Sequence, residues 1–425
     1  MHGRLAMICV LVDFPVASEQ FVFREIKALA ELGEAVHVLT IRSRAAVAED
    51  TLPHGIRLSR ALPIGSPKFW RPVLTAVARH PWRSVGLLAA ALRVEAGEGR
   101  RGRLRAARLT AIALHFTPAI GAGEPQVIHA HFASAPATLG LLLSRWFAFP
   151  FGFSVHARDL YATPIDLPAK AAHAQHIVAC SRTAAEDLRK RLPEELRARV
   201  HAIYHGVEIA AAPVRPAGAA QRVPLILAAG RFEPKKGFDR LVQACALLRD
   251  EGVAFGCELV GAGRGEAVLR RQIRVLGLEA WVRIVPWRSQ ADLQMDYSRA
   301  SVLAVPSVVS PDGDRDNIPN VILEALASET PVVASALPAI VEALGSAGAA
   351  LLVPPGDARA LADGLRRVCN DADLACRLRT QGRGLVEREF DIGANARRLL
   401  AHVTRHAGCD AGRTGPRYRC RSAGA

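Results

Sequence analysis

The sequence is more informative at first for what it lacks. No stretch approaches about 18 uninterrupted apolar residues, so no membrane-spanning helix is expected. The opening apolar run is broken by Asp13 and Pro15 and has no small-residue cleavage site, so no secretory signal is expected. No two of the eight cysteines (Cys9, Cys180, Cys245, Cys257, Cys369, Cys376, Cys409 and Cys420) form a C-x-x-C pair. Such scatter excludes a disulfide frame or a zinc knuckle and fits buried thiols in a reducing compartment. The first strand–helix loop lacks G-x-G-x-x-G, so the dinucleotide fingerprint is missing. No repeat of solenoid period occurs. Acidic residues are also scarce, with 40 Asp and Glu against 55 Lys and Arg and a net charge of +15. A basic chain faces nucleic acid, anionic lipid or phosphorylated ligands, and the placement of the charge must decide among them.

The 425 residues exceed one ordinary core and predict two domains. Half the residues are apolar, and short β-branched runs alternate with helical patterns, which argues for an α/β fold. Strand candidates Leu5–Val12 and Ala35–Ile41 flank a helix over about 19–32 closed by Gly33, a βαβ opening with Ser18 as N-cap. Val127–Ala130 and Phe151–Val155 are further strands. The first ends at His129 and His131; the second delivers His156-Ala-Arg-Asp159. Ligands bind at the carboxyl ends of parallel strands, which favours a functional His156. For His129 and His131 a core role is the simpler expectation. Strands at 176–179 and 200–203 complete the first half, and Tyr204-His-Gly-Val207 leads out of it.

Residues 68–108 stand apart. Lys68, Arg71, Arg79, Arg83, Arg93, Arg100, Arg101, Arg103, Arg105 and Arg108 face only Glu95 and Glu98, ten positive charges against two negative. Phe69, Trp70 and Trp82 lie among them in a helical pattern. This fits an interfacial helix on anionic lipid or an Arg-rich solvated helix, and both readings stay open. No DNA- or RNA-binding motif accompanies the charge, so nucleic acid is not an expected partner.

A Pro/Ala/Gly-rich linker over 210–224 precedes the second domain. Strand Leu225–Gly230 runs into Arg231 and Lys236-Gly237 at the head of a helix. Basic side chains beside free N–H groups make a phosphate cradle. Gly261-Ala-Gly263 lets the backbone turn tightly after strand 257–260. The stretch Ser307–Ser335 reads strand, acidic loop, helix, strand. Its helix is expected to start near Ile318 with Pro319 in the first turn, and it carries Glu324. Asp312-Gly-Asp314 invites a metal reading, but two loop carboxylates are too few oxygens for a hard cation, and no metal site is expected. A final helix spans about 391–405, and the tail 408–425 is basic, Gly-rich and expected to be disordered.

Several motifs in order resemble the family 4 glycosyltransferases of GT-B fold. They are FPVASEQFVFREIKALAELG, HAHFAS, SVHARDLY, ACSRTAAEDL and YHGVEI in the first half. GRFEPKKGFDRLVQA, LVGAGRGEAVL and DGDRDNIPNVILEALASETPVVAS follow in the second. The resemblance runs from about 7 to 405, and the FP-x-x-SE-x-F form is similar to the branch that builds cell-surface polysaccharides.

That resemblance implies two Rossmann-like domains facing across a cleft. Residues 1–209, completed by helix 391–405, would take the acceptor, and 225–390 the nucleotide sugar. It implies a retaining hexosyltransferase with a nucleotide-diphosphate sugar as donor, a glycan or lipid-linked saccharide as acceptor, and neither cofactor nor metal. Arg231 and Lys236 would clamp the diphosphate, Gly263 would border the donor, and N–H groups near Ile318 and Asn320 would meet the distal phosphate. Glu324 would bind the ribose. Asp316 stands where the family has a glutamate against the donor sugar, one methylene shorter. His156 would reach the reacting sugar. The chain is expected in the cytoplasm, on the inner membrane face if 68–108 bind lipid. The rival readings are a non-catalytic GT-B subunit and a peripheral lipid-binding protein.

Overall fold

The computed structural model describes residues 6–16, 19–42, 52–120, 126–162, 166–209 and 223–406. The linker expected at 210–224 falls almost wholly outside them, as do Ser18, Cys409, Cys420 and the tail. Among the described residues thirteen strands form two all-parallel sheets. The first contains β1 (Ala6–Leu11), β2 (Ala35–Thr40), β3 (Ile56–Arg60), β4 (Gln126–His131), β5 (Phe151–Val155), β6 (His176–Ala179) and β7 (Val200–Ala202), in the order β3-β2-β1-β4-β5-β6-β7. The second contains β8 (Leu225–Ala229), β9 (Gly256–Val260), β10 (Val282–Val285), β11 (Val302–Val305), β12 (Val332–Ser335) and β13 (Leu351–Val353), in the order β10-β9-β8-β11-β12-β13.

Both sheets are buried on both faces, which is why β1 and β5 read as continuous apolar runs. The order reverses between β1 and β4 in one sheet and between β8 and β11 in the other. Such switch points open crevices at the carboxyl ends of the strands. The loops after β1, β4, β5, β8 and β11 therefore carry the residues that matter below. Strand β3 was not expected from the sequence; its five residues have only two buried side chains, so its apolar signal is short.

The chain returns to the first lobe at its end. Helix Ile392–His406 places Ala396, Leu399 and Val403 in one core with Met7, Val22, Ile26 and Val178. Outgoing and returning segments are bonded together: Val207 N–H donates to Phe390 O at 2.8 Å and Ile392 N–H to Val207 O at 3.2 Å. A Cβ on Gly206 would lie 2.3 Å from the Ile392 Cα, so only glycine allows this approach.

The charged segment folds as helices Pro67–Arg79, Pro81–Val94 and Gly99–His115. Phe69 is fully buried and stacks on His115, so it is a core residue. Trp82 (86% exposed), Leu74, Val85 and Leu104 instead face solvent. Among the described residues no helix is long and apolar enough to cross a membrane.

Two histidines of the first lobe, His37 and His129, are held neutral by burial. Burial, with Arg57 nearby, pushes His37 down to about 4. Burial, with His131 nearby, pushes His129 down to about 3. Both ionise near 6.5 when unfolded, so the unfolded chain binds more protons as pH falls. Their stabilisation is fully present above pH 6.5 and is lost on acidification toward 4 and 3. Between pH 6.5 and 5, unfolding free energy should fall by at most about 1.4 kcal/mol per pH unit for each. Denaturant titrations of His37→Gln across that range should show a shallower slope.

Candidate functional site

Gln20 and Arg24, on helix Gln20–Glu31 of the first lobe, face the second lobe across a cleft of about 160 Å³. Gly230, Arg231, Lys236, Trp287, Arg288, Gln290, Asn320 and Glu324 line the other wall. A larger cavity of about 710 Å³ on the second lobe, beside Phe232, Val268 and Val308, shares no lining residue with this cleft. Convergent polar side chains make the smaller cleft the better candidate site.

Helix Asn320–Ala327 begins later than the sequence suggested. Pro319 is its N-cap, with ψ 129°, rather than a first-turn residue. A residue before proline is steered away from helical angles, which keeps Ile318 out of the helix. Ile318 packs against the core of the second lobe, whereas Asn320 opens the helix and lines the cleft.

Glu324 is buried and doubly bonded. Its Oε1 accepts from Arg24 Nη2 at 2.8 Å and its Oε2 from Tyr297 Oη at 3.0 Å. Arg24 comes from the opposite lobe, 300 positions away, and is also buried. Asp316 is largely buried, its side chain 9% exposed. Its Oδ2 accepts from Lys236 Nζ at 2.8 Å and from Ser307 Oγ at 2.7 Å, while Oδ1 lies 3.9 Å from Lys235. Burial alone would raise the Asp316 carboxyl. The two ammonium groups and the hydrogen bonds outweigh it and hold the carboxyl below its ordinary range. Lysine has three donors, so the bond to Asp316 aims Lys236 and leaves two for a ligand. Both carboxylates expected on hydroxyl groups thus carry cations here.

Gly237 explains how Lys236 reaches this place. It has φ 63°, and a Cβ there would lie 1.9 Å from Pro306 O, so the loop after β8 lies tight against the loop after β11. Arg231 is 44% exposed and pairs with Glu233 at 3.0 Å. Gly263 does not line the cleft; a Cβ there would lie 2.7 Å from Phe232 N, so its glycine serves loop packing. Asp314 pairs with Lys235 at 3.0 Å, and Asp312 accepts from the Asp314 N–H at 3.2 Å.

His156 directly follows β5 and caps helix Ala157–Tyr161, with its N–H donating to Asp159 Oδ2 at 3.0 Å. It is buried between Phe21 and Phe132, and its Nδ1 lies 3.3 Å from His205 Nε2. Burial first, then His205, hold it well below its usual value and therefore neutral. His205 is the opposite case. Burial opposes its charge, but the Cys180 sulfur and the Glu25 carboxylate raise it to about 9. Glu25 Oε2 lies 3.6 Å from His205 Nδ1, and Glu25 Oε1 lies 3.8 Å from His131 Nδ1. His129 is fully buried and bonded to Ser154 at 2.8 Å and His176 at 3.1 Å. Arg24, Glu25, Cys180 and His205 lie within motifs read from the sequence, but no local spacing links them, because they come from segments far apart in the chain.

The lobes also meet at the amino end of helix Arg182–Arg191. Glu342, from the second lobe, accepts from the Arg182 and Thr183 N–H groups at 2.8 and 2.6 Å and from Tyr204 Oη at 2.5 Å. Beside it, Asn317 bonds Ser181 at 2.8 Å, and Arg315 pairs with Asp187 at 3.1 Å.

Two parallel-sheet lobes with a basic cleft between them are the GT-B architecture of glycosyltransferases. Sucrose-phosphate synthase from Thermosynechococcus elongatus shares it at a TM-score of 0.72 and 21% identity, over 96% of this chain and 100% of that one. Anabaena HepE, in complex with UDP and glucose, shares it at 0.66 and 18%, over 95% of this chain and 100% of that one. The family model described as glycosyl transferases group 1 matches residues 214–385, and that of glycosyltransferase family 4 matches 89–211. The chain is 27% identical to the putative colanic acid biosynthesis glycosyltransferase WcaL of Escherichia coli, over 90% of this chain and 95% of that protein. It is 32% identical to the amylovoran biosynthesis glycosyltransferase AmsK of Erwinia amylovora, over 43% of this chain and 45% of that protein. Both matching models are of glycosyltransferases and together they span most of residues 89–385, so the chain is a glycosyltransferase of GT-B fold.

Removing one partner of a buried ion pair costs about 3–5 kcal/mol, because the other charge is stranded. Arg24→Met should destabilise the protein on that scale. Adding Glu324→Gln should recover part of the loss. A double-mutant cycle in denaturant measures the coupling, and strictly additive losses would show the pair to be unimportant.

Proposed function

We propose that the chain transfers a hexose, with retained anomeric configuration, from a nucleotide-diphosphate sugar to a glycan or lipid-linked saccharide in cell-surface polysaccharide biosynthesis. The observation that carries this reading is the convergence of Arg231, Lys236, the amino end of helix Asn320–Ala327 and Glu324 on one inter-lobe cleft. A diphosphate suits the two cations and the helix end. The ribose suits Glu324, reached by exchange with Arg24. Fold-level analogy to HepE with UDP and glucose supports the donor class. The names of the Escherichia and Erwinia relatives support the polysaccharide setting.

In this reading the first lobe brings the acceptor, and His156, neutral and buried, offers a hydrogen bond to the reacting sugar without adding charge. The leaving diphosphate takes the acceptor proton, so the site needs charge stabilisation and positioning more than a strong base. No catalytic metal is invoked. A screen of UDP- and GDP-sugars by nucleotide release tests the donor. Lys236→Ala and Arg231→Ala should each lower turnover by about 100-fold or more, the scale of losing a preorganised charge contact, without unfolding. Wild-type rates in either variant would overturn the clamp.

The solvent-facing Trp82, Leu74 and Val85, flanked by exposed Arg71, Arg79 and Arg83, favour docking on anionic lipid. The protein would then act from the cytoplasmic membrane face. Wild type should float with vesicles containing anionic lipid and stay down with neutral ones. Neutralising the three arginines together with Trp82→Ser should abolish flotation.

A further inference from the structure

The geometry points to a binding site for a soft divalent cation, of which Zn²⁺ is the model, formed by His156, Cys180 and His205. The Cys180 sulfur and one ring nitrogen of each histidine all lie within 4.8 Å of one another. His156 Nδ1 and His205 Nε2 are 3.3 Å apart. Zinc–nitrogen bonds of about 2.0–2.1 Å in a tetrahedron set a nitrogen–nitrogen edge of about 3.3 Å, so the two rings already sit at ligand spacing. One thiolate with two imidazoles is a soft donor set, suited to Zn²⁺ and unsuited to Mg²⁺ or Ca²⁺.

The surroundings also match. Metal-bound histidines commonly direct their second nitrogen to a carboxylate. His205 Nδ1 faces Glu25 at 3.6 Å, and neither that nitrogen nor Glu25 Oε1 has a hydrogen-bond partner among the described residues. The Cys180 sulfur accepts from Asn317 Nδ2 at 2.9 Å, an outer-shell bond that would steady a thiolate. His156 and Cys180 are both more than nine-tenths buried. Binding would expel to solvent the Cys180 thiol proton and the proton lying between the two rings. Three protein ligands leave a fourth position for water or another oxygen. With Nδ1 on the metal, His156 must carry its proton on Nε2, a buried atom that has no hydrogen-bond partner among the described residues. The cation would thereby fix His156 as a hydrogen-bond donor, whatever the sugar chemistry.

The test uses the reduced, full-length protein stripped with chelator and titrated with Co²⁺ alone. One equivalent should bind, with thiolate-to-cobalt charge-transfer absorption and the intense visible bands of tetrahedral cobalt, and Zn²⁺ should displace it. Cys180→Ser should abolish the charge-transfer band and weaken binding at least tenfold. His205→Gln should weaken it comparably, and serves if the serine variant does not fold. Cys376→Ser, at an exposed thiol, should change nothing. A charge-transfer band that survives Cys180→Ser would overturn the site. So would the absence of stoichiometric binding, or binding lost in His131→Ala but kept in Cys180→Ser. The readout is metal binding, so its failure is separate from failure of the glycosyl-transfer reading.

Discussion

The buried pair between Arg24 and Glu324 is the contact on which the arrangement of the lobes turns. Each partner comes from the first helix after a switch-point strand, one in each lobe. A charge pair in low dielectric is stabilising only with good geometry and with its remaining valences satisfied. Glu324 meets that condition through Tyr297. The same carboxylate lines the cleft, so whatever occupies Glu324 competes with the tie between the lobes. Ligand binding and lobe closure are then one equilibrium rather than two.

Much of the architecture was legible. β-branched runs alternating with helical patterns specified a parallel sheet, and the interruption after Val207 marked the passage between lobes. Motif order indicated which loops would converge, and the cleft does gather Arg231, Lys236, Asn320 and Glu324. Less legible was anything that depends on pairing across long separations. Arg24 sits in an amphipathic helix, where an arginine suggests solvent, and its partner lies 300 positions away. Glu25, His156, Cys180 and His205 approach one another only because the segments that carry them follow β1, β5, β6 and β7, which lie in one sheet in the order β1-β4-β5-β6-β7. Composition overreached at Phe69, which its basic neighbours made look interfacial and which is core.

The acidic loop shows how a local pattern can mislead about role. Asp312, Asp314 and Asp316 look like a cluster awaiting a cation. The structure disperses them, one onto a backbone N–H, one onto Lys235 and one onto Lys236 and Ser307. Asp316 then acts as a bracket that orients Lys236. A shorter carboxylate than the family's glutamate suits that bracket, since the ammonium it holds is already pressed close by Gly237.

The hydrogen bonds joining Val207 to Phe390 and Ile392 have a mechanical consequence. Two covalent crossings between lobes, laced side by side, remove degrees of freedom that a single tether would leave. Sliding and twisting would shear those bonds, whereas rocking about the line through them would not. The molecule is therefore geared to open along one arc. On that arc the Arg24–Glu324 contact and the Glu342 seat on helix Arg182–Arg191 separate or engage as a set.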